Sequence, residues 1–179
     1  MNIRTILVPV DFSACSLFVT RQTAELAARL SARLVVLHVA ELPAGVSRDT
    51  RVRPEGVEQS AHDYLSSDAR ERLAPFVAAA RELGAAAEIH VEFGHVVPTI
   101  LRVADASGAD MIVIGTHGRT GLARVVLGSV AEGVARQAHV PVMLMRREPR
   151  PECNRASCAW CPQEGRSAAE DAIASESLG

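Results

Sequence analysis

Between two short apolar runs, the chain reads Gly115-Thr-His-Gly118-Arg-Thr-Gly-Leu-Ala-Arg-Val-Val-Leu-Gly128-Ser129. The flanking runs, Met111–Ile114 and Val142–Met145, have the length and apolar character of buried strands. Glycines at positions 115 and 118 lack a side chain and tolerate positive φ, so the backbone can approach a bulky ligand closely. Ser129 and Glu132 have the spacing of a capping box, which predicts the start of a helix. Because a helix N-terminus carries unpaired N–H groups and the positive end of the dipole, the stretch predicts a phosphate-binding loop.

Short apolar runs alternate with helical patterns as far as residue 147. The predicted strands are Ile3–Pro9, Leu34–Val39, Glu88–Phe93, Met111–Ile114 and Pro141–Arg146. This alternation predicts an α/β fold with an open five-stranded parallel sheet flanked by helices. Ser13 is predicted to cap the first helix, and a further helix is predicted from Ser129 to about Ala138.

Two features interrupt this pattern. Residues 40–57 contain two prolines and two glycines, which favours a lid or a mobile insertion. A long amphipathic helix follows, and Pro75 within it predicts a kink or a break near residues 71–75, because proline removes a helical hydrogen bond.

Composition limits the classes of protein to which the chain can belong. With 179 residues, 48% of them apolar, one domain with a sizeable core is expected. A net charge of −2 argues against general nucleic-acid binding, which needs a concentrated basic face. No apolar run approaches the roughly 20 residues of a membrane span, and the first run is too short for a signal peptide. A cytoplasmic protein with reduced thiols is therefore expected.

Two common phosphate-binding motifs are absent from the sequence. The P-loop needs a lysine, whereas all 19 basic residues here are arginine, and no glycine follows the first strand as the dinucleotide fingerprint requires. The spacing G-x2-G-x9-G-S instead resembles the ATP-binding signature of the universal stress protein family. Four blocks in the family's order carry this resemblance across residues 1–147: Ile6–Ser13, Leu34–Val39, Ala109–Gly115 and Val140–Leu144.

The resemblance implies a Rossmann-type sheet like that of adenine-nucleotide hydrolases. It also implies a site for ATP with magnesium or manganese where the first and fourth strands end. The residues carried over are Pro9, Val10, Asp11, Val39, Gly115, Thr116, His117, Gly118, Arg119, Gly128, Ser129 and Val130. Asp11 is expected to accept hydrogen bonds from ribose or to hold a metal–nucleotide; its alternative role is a turn or helix-capping aspartate. Val39 would offer backbone groups to adenine, and its alternative role is a core valine. The glycines are alternatively plain turn residues.

Three charged or titratable side chains lie in the glycine-rich stretch. Arg119 and Arg124 can supplement the backbone N–H groups with forked contacts to phosphate, or remain solvated loop charges. His117 has no evident carboxylate partner in the sequence, which favours an incidental histidine over a general base.

The resemblance implies a nucleotide-binding regulatory protein of the stress response that acts as a homodimer through residues 141–146. Catalytic turnover is not expected, since the sequence shows no serine triad, paired carboxylates or catalytic lysine near the loop. Two alternatives stay open: a slow ATP hydrolase, and a dimeric scaffold that does not depend on nucleotide.

Composition changes after residue 147, so residues 148–179 are predicted to form a flexible tail. This tail carries Cys153, Cys158 and Cys161, a spacing seen in zinc and iron–sulfur sites. Only three ligands are local, so a fourth would have to come from elsewhere, such as Cys15 or His139. The alternatives are reversible thiol chemistry and unpaired cysteines.

Overall fold

The computed structural model describes residues 2–116 and 128–146. The predictions that concern His117, Gly118, Arg119 and Arg124, and those that concern the tail and its three cysteines, lie outside these residues.

Strands and helices alternate along the chain. The strands are β1 (Thr5–Pro9), β2 (Arg33–Ala40), β3 (Arg51–Val52), β4 (Gln59–Ser60), β5 (Ala86–Phe93), β6 (Met111–Gly115) and β7 (Val142–Met145). The helices are α1 (Ala14–Leu30), α2 (Ala61–Glu82), α3 (Val96–Ser107) and α4 (Ser129–Gln137), with a short 3-10 turn at Pro54–Gly56. The predicted α/β class is confirmed, and each predicted strand overlaps an observed one.

The main sheet has five parallel strands in the order β5-β2-β1-β6-β7. Strand β1 pairs with β2 from Thr5↔Arg33 to Pro9↔Leu37, and on its other side Ile6 pairs with Met111 of β6. The chain builds outward from β1 to β2 and β5, and then returns to the other side of β1 to form β6. The strand order therefore reverses between β1 and β6.

Each face of the sheet carries its own apolar layer. Ile6, Val8 and Val36 pack with residues of α1 and α2 on one face, whereas Leu7 and Ile112 pack with residues of α3 and α4 on the other. Alternate residues of a strand point to opposite faces, and both faces are covered, which explains why Ile6, Leu7 and Val8 of β1 are all apolar. A fully buried Leu or Ile side chain contributes about 1.5–3 kcal/mol to stability.

Two segments that the sequence singled out have regular structure. The break predicted near residues 71–75 does not occur, because helix α2 is continuous through Pro75. Pro75 is exposed, while its neighbours Leu73, Phe76 and Val77 are buried against the sheet, and this packing outweighs the hydrogen bond that proline removes. Residues 40–57, predicted to be a lid or a mobile insertion, include β3, which pairs with β4 in antiparallel fashion, and buried Val46 and Val52 pack against the start of α2.

Candidate functional site

The carboxyl ends of β1 and β6 lie side by side at the point where the strand order reverses. Strand β1 ends at Pro9 and leads into Val10 and Asp11, while β6 ends at Gly115 and leads into Thr116. In open α/β sheets, ligands bind in the crevice outside the carboxyl ends of strands at such a reversal. The two strands whose ends the resemblance assigns to the site are therefore neighbours in the sheet.

The Asp11 side chain accepts hydrogen bonds from two serines at the start of α1. Its Oδ1 accepts hydrogen bonds from the Ser13 backbone N–H at 3.1 Å, from the Ser13 hydroxyl at 2.6 Å and from the Ser16 hydroxyl. The Asp11 N–H donates to Ser16 Oγ at 3.1 Å, and Ser13 Oγ accepts from the Ser16 N–H, which confirms Ser13 as the N-cap of α1. The turn-aspartate role predicted as an alternative is therefore present. These described contacts all engage Oδ1, which leaves room for a ligand role at Oδ2.

Two residues of β2 hold Val10, the residue before Asp11, in place. The Val10 N–H donates to the Leu37 carbonyl at 2.8 Å, and His38 Nδ1 lies 2.9 Å from the Val10 carbonyl oxygen. Val10 is buried, and Val39 next to His38 is partly buried. Val39 therefore lies on the strand next to β1, one strand away from the crevice.

Phe12, immediately after Asp11, has an unusual backbone conformation and close ring contacts. Its φ is +63°, and its ring centroid lies 4.1 Å from that of His38. The guanidinium carbon of Arg72, on α2, lies 3.9 Å from the Phe12 ring centroid. The sequence did not single out Phe12, His38 or Arg72, because no spacing in the sequence relates the turn after β1 to β2 and α2.

Thr116 and Gly128, although twelve positions apart in sequence, are joined by a backbone hydrogen bond. The Gly128 N–H donates to the Thr116 carbonyl at 2.9 Å, and the Thr116 N–H donates to the Met145 carbonyl at 2.9 Å. A Cβ on residue 128 would lie 3.2 Å from the Thr116 oxygen, closer than nearly all real Cβ contacts. Glycine at 128 thus allows the start of α4 to lie directly against the end of β6.

The start of α4 differs from the predicted capping box. Gly128 is the N-cap and has no side chain to cap with, while Ser129 is the first helical residue and is exposed. The Glu132 N–H bonds the Gly128 carbonyl, and the Glu132 carboxylate pairs with Arg136 at 2.8 Å instead of returning to the cap. Since no side chain among the described residues caps this end, the N–H groups of Ser129 and Val130 remain as donors near Thr116.

Asp110 is a second carboxylate near these strands, but unlike Asp11 it lies at the amino-terminal end of β6. It accepts hydrogen bonds from the Arg4 N–H at 2.7 Å and the Thr5 N–H at 3.0 Å. These backbone bonds hold the pKa of Asp110 below its ordinary value, because they stabilise the charged form. This carboxylate ties β1 to β6 at the end of the sheet opposite the crevice, and so has a structural role.

Within residues 2–116 and 128–146, no group of three or more His, Cys, Asp or Glu side chains is arranged to hold a metal ion. Asp11 is the acidic group at the crevice among the predicted site residues, so a metal there would depend on ligands from a bound nucleotide.

The profile of the universal stress protein family matches residues 2–146, which includes the sheet and both sides of the crevice. The chain belongs to the universal stress protein family. It is 33% identical over 146 residues to universal stress protein MJ0531 of Methanocaldococcus jannaschii, a match that covers 80% of this chain and 82% of the relative.

Solved structures of universal stress proteins have the same fold. The structure of MJ0577 from M. jannaschii superposes with a TM-score of 0.67 at 21% identity, covering 84% of this chain and all of that one. The universal stress protein of Archaeoglobus fulgidus, solved in complex with dAMP, gives a TM-score of 0.58 at 27% identity, covering 80% of this chain and 98% of that one. As for membranes, the helices that the structure describes in this chain are all too short or too polar to span a bilayer.

Proposed function

We propose that this universal stress protein binds ATP, with magnesium or manganese, in the crevice between β1 and β6 and acts as a homodimeric regulator. The observation that carries this proposal is the meeting of three elements at one edge of the sheet: the Asp11 turn, the end of β6 at Thr116, and the uncapped start of α4. Such an edge provides backbone donors for phosphate and a carboxylate for the sugar.

The phosphates belong at the start of α4. Ser129 and Val130 present backbone N–H groups at the positive end of the helix dipole, whereas the Gly128 N–H donates to the Thr116 carbonyl, and Ser129 adds an exposed hydroxyl. His117, Gly118 and Arg119 continue the proposed phosphate contacts, as the family resemblance implies. Residue 128 must stay small, because its backbone already packs against Thr116.

The nucleoside belongs nearer β1 and β2. Asp11 has one carboxylate oxygen engaged by Ser13 and Ser16, so the other is the natural acceptor for a ribose hydroxyl or for a metal-bound water. Val39 follows His38 on the neighbouring strand, where its backbone groups can meet the edge of the adenine ring. The A. fulgidus relative, whose structure is in complex with dAMP, supports an adenine nucleotide as the ligand class.

A regulatory role is preferred to rapid turnover because the sequence shows no serine triad, paired carboxylates or catalytic lysine near the glycine-rich loop. We expect nucleotide occupancy, not product formation, to be the signal. Slow hydrolysis of bound ATP is the enzymatic alternative.

The dimer contact is proposed at β7, the edge of the main sheet. Met143 and Leu144 on this strand are 37% and 40% exposed, and β7 pairs with β6 on one side only within the part of the chain that the structure describes. An edge strand with apolar side chains needs covering, and a symmetry mate of the same strand provides a self-complementary cover. This feature also favours the second candidate function, a dimeric scaffold that works without nucleotide.

Titration calorimetry with ATP in the presence of magnesium tests the proposal. Wild type should bind one ATP per chain, and Asp11→Asn should weaken the affinity by about tenfold, since hydrogen bonds to charged groups contribute about 1.5–3 kcal/mol. Asp110→Asn is the matched control: it removes a carboxylate at the opposite end of the same strand pair and should lower stability without lowering affinity. A dimeric wild type that binds no ATP would leave the scaffold as the better account, and ADP release during the titration would favour the hydrolase.

A further inference from the structure

Phe12 adopts a backbone conformation that bulky residues rarely take. Among the non-glycine residues that the structure describes, only Phe12 and Ser31 have positive φ. Ser31 is the C-cap of α1, where a left-handed residue is ordinary. Phe12 instead follows Asp11 directly, in the middle of the proposed site. Strained conformations persist only where their surroundings enforce them, and they concentrate at functional sites.

Three side chains from β2 and α2 enforce the conformation of Phe12. Its side chain is only 7% exposed, and its ring contacts His38 of β2 and the Arg72 guanidinium of α2 at 4.1 and 3.9 Å from the ring centroid. Phe76, one helical turn after Arg72, meets the ring edge-on at 6.2 Å. Arg72 is itself oriented by Asp68 at 3.5 Å, and both side chains are partly buried.

The same contacts fix the backbone on the other side of Asp11. The His38 imidazole that touches the Phe12 ring also lies 2.9 Å from the Val10 carbonyl oxygen, and Leu37 accepts from the Val10 N–H. Asp11 is therefore bounded by two residues that are held, Val10 by β2 and Phe12 by β2 together with α2. Its backbone and carboxylate have little freedom to turn away from the crevice.

We propose that Arg72 and Phe12 are positioning residues for the nucleotide site: the contact of the Arg72 guanidinium with the Phe12 ring holds the Val10–Asp11 turn in the conformation that binds nucleoside. The inference rests on the function proposed above. It makes α2, which contributes no residue to the predicted site, a determinant of its affinity. A cation over an aromatic ring is well suited to this role, because the quadrupole of the ring attracts the charge. Arg72 can therefore hold Phe12 without itself forming a hydrogen bond to the ligand.

Arg72→Met removes the cation but retains an unbranched side chain that can cover the ring. We expect it to weaken ATP binding about three- to fivefold, the size of a partly buried cation–π contact. Arg72→Lys, which keeps the charge, should recover most of the affinity. The matched control is Arg81→Met on the same helix, where the guanidinium bonds the Ala87 carbonyl far along α2 from Phe12. Arg81→Met should leave affinity unchanged even where it lowers the melting temperature.

Adenosine separates positioning from direct contact with phosphate. If Arg72 acts through the Phe12 turn, Arg72→Met should weaken adenosine and ATP by the same factor. A loss confined to ATP would contradict the proposal, because it would show that the guanidinium attracts the phosphates. Phe12→Gly provides a second variant, which relieves the strain of the positive φ but removes the ring. Because all the ring contacts are lost together, the affinity for both ligands should fall about tenfold or more.

The outcomes distinguish this inference from the proposed function. A wild-type protein that binds neither ATP nor adenosine overturns both. Wild-type binding together with unchanged affinity in Arg72→Met overturns the positioning role and leaves the site assignment standing. An equal loss of affinity in Arg72→Met and Arg81→Met also overturns it, since the effect would then follow from general destabilisation of α2.

Discussion

Replacing Gly128 by alanine tests the contact that brings α4 against the end of β6. The backbone angles of Gly128, φ −59° and ψ 142°, are ordinary for any residue, so alanine introduces no dihedral strain. The cost comes from the new Cβ, which would lie 3.2 Å from the Thr116 oxygen and must push it away by a few tenths of an ångström. The 2.9 Å hydrogen bond between the Gly128 N–H and that oxygen would lengthen as a result.

The expected magnitude follows from these two contacts. A backbone hydrogen bond contributes about 0.5–1.5 kcal/mol net, and alanine is a poorer N-cap than glycine by several tenths of a kcal/mol, so Gly128→Ala should lower the free energy of unfolding by about 1–2 kcal/mol. The same shift moves the first N–H groups of α4 away from the phosphates. We expect about a tenfold loss of ATP affinity, the effect of weakening one hydrogen bond to a charged group.

Gly133→Ala is the matched control, because it makes the same substitution in the same helix. A Cβ at 133 would lie 2.9 Å from Val97 Cγ2, so it should overpack the contact between α3 and α4. Overpacking costs about 1–3 kcal/mol, from which the better helix propensity of alanine subtracts about 1 kcal/mol. Melting curves and ATP calorimetry on both variants check the prediction. If Gly133→Ala loses as much affinity as Gly128→Ala at equal stability, or if Gly128→Ala binds like wild type, the reasoning about the start of α4 is wrong.

Three further predictions concern the rest of the molecule. The folded-state pKa of Asp110 is lowered by the Arg4 and Thr5 N–H groups, so the contribution of Asp110 to stability is present above the unfolded-state pKa and is lost as pH falls through the folded-state pKa. When unfolding is measured against pH, the free energy of unfolding should therefore fall less steeply below about pH 4 in Asp110→Asn than in wild type. Leu144→Arg should give a monomer in light scattering at micromolar concentration, because it places a charge on the exposed edge strand, and an unchanged dimer mass would exclude β7 as the interface. Truncation after Arg147 should leave melting temperature and ATP affinity nearly unchanged; unfolding of the shortened chain, or loss of a metal that full-length protein retains, would instead make the cysteine tail structural.

The fold follows from sequence because its strands are covered on both faces. A doubly covered strand such as β1 is apolar at consecutive positions, and the short run of Ile6, Leu7 and Val8, which Pro9 ends, has the length of a buried strand and not of a helix. Pro75 shows the opposite case. Its local preference to end a helix is real, yet buried neighbours on α2 keep the helix intact, and this packing depends on residues that sequence spacing does not relate to it.

The candidate site was predictable only in part, for the same reason. The glycine spacing predicted a site that includes Thr116 and Gly128, and these two residues are in contact in the structure. The capping box at Ser129 was wrong because Gly128 lies at the cap, and Glu132 pairs with Arg136 one turn further on. The contact of Arg72 with Phe12 joins residues sixty positions apart, and only the packing of α2 on the sheet brings them together. A local motif does not encode a contact of that kind.

The nucleotide content of freshly purified full-length protein tests the central proposal most directly. Denaturation followed by chromatography should release adenine nucleotide, or the protein stripped of nucleotide should bind one equivalent of ATP per chain when it is titrated with magnesium present. Gly118→Val should abolish this binding with the fold retained, because a branched side chain fills the space proposed for the phosphates. A folded wild-type protein that releases no nucleotide and binds none, with or without magnesium, would contradict the account.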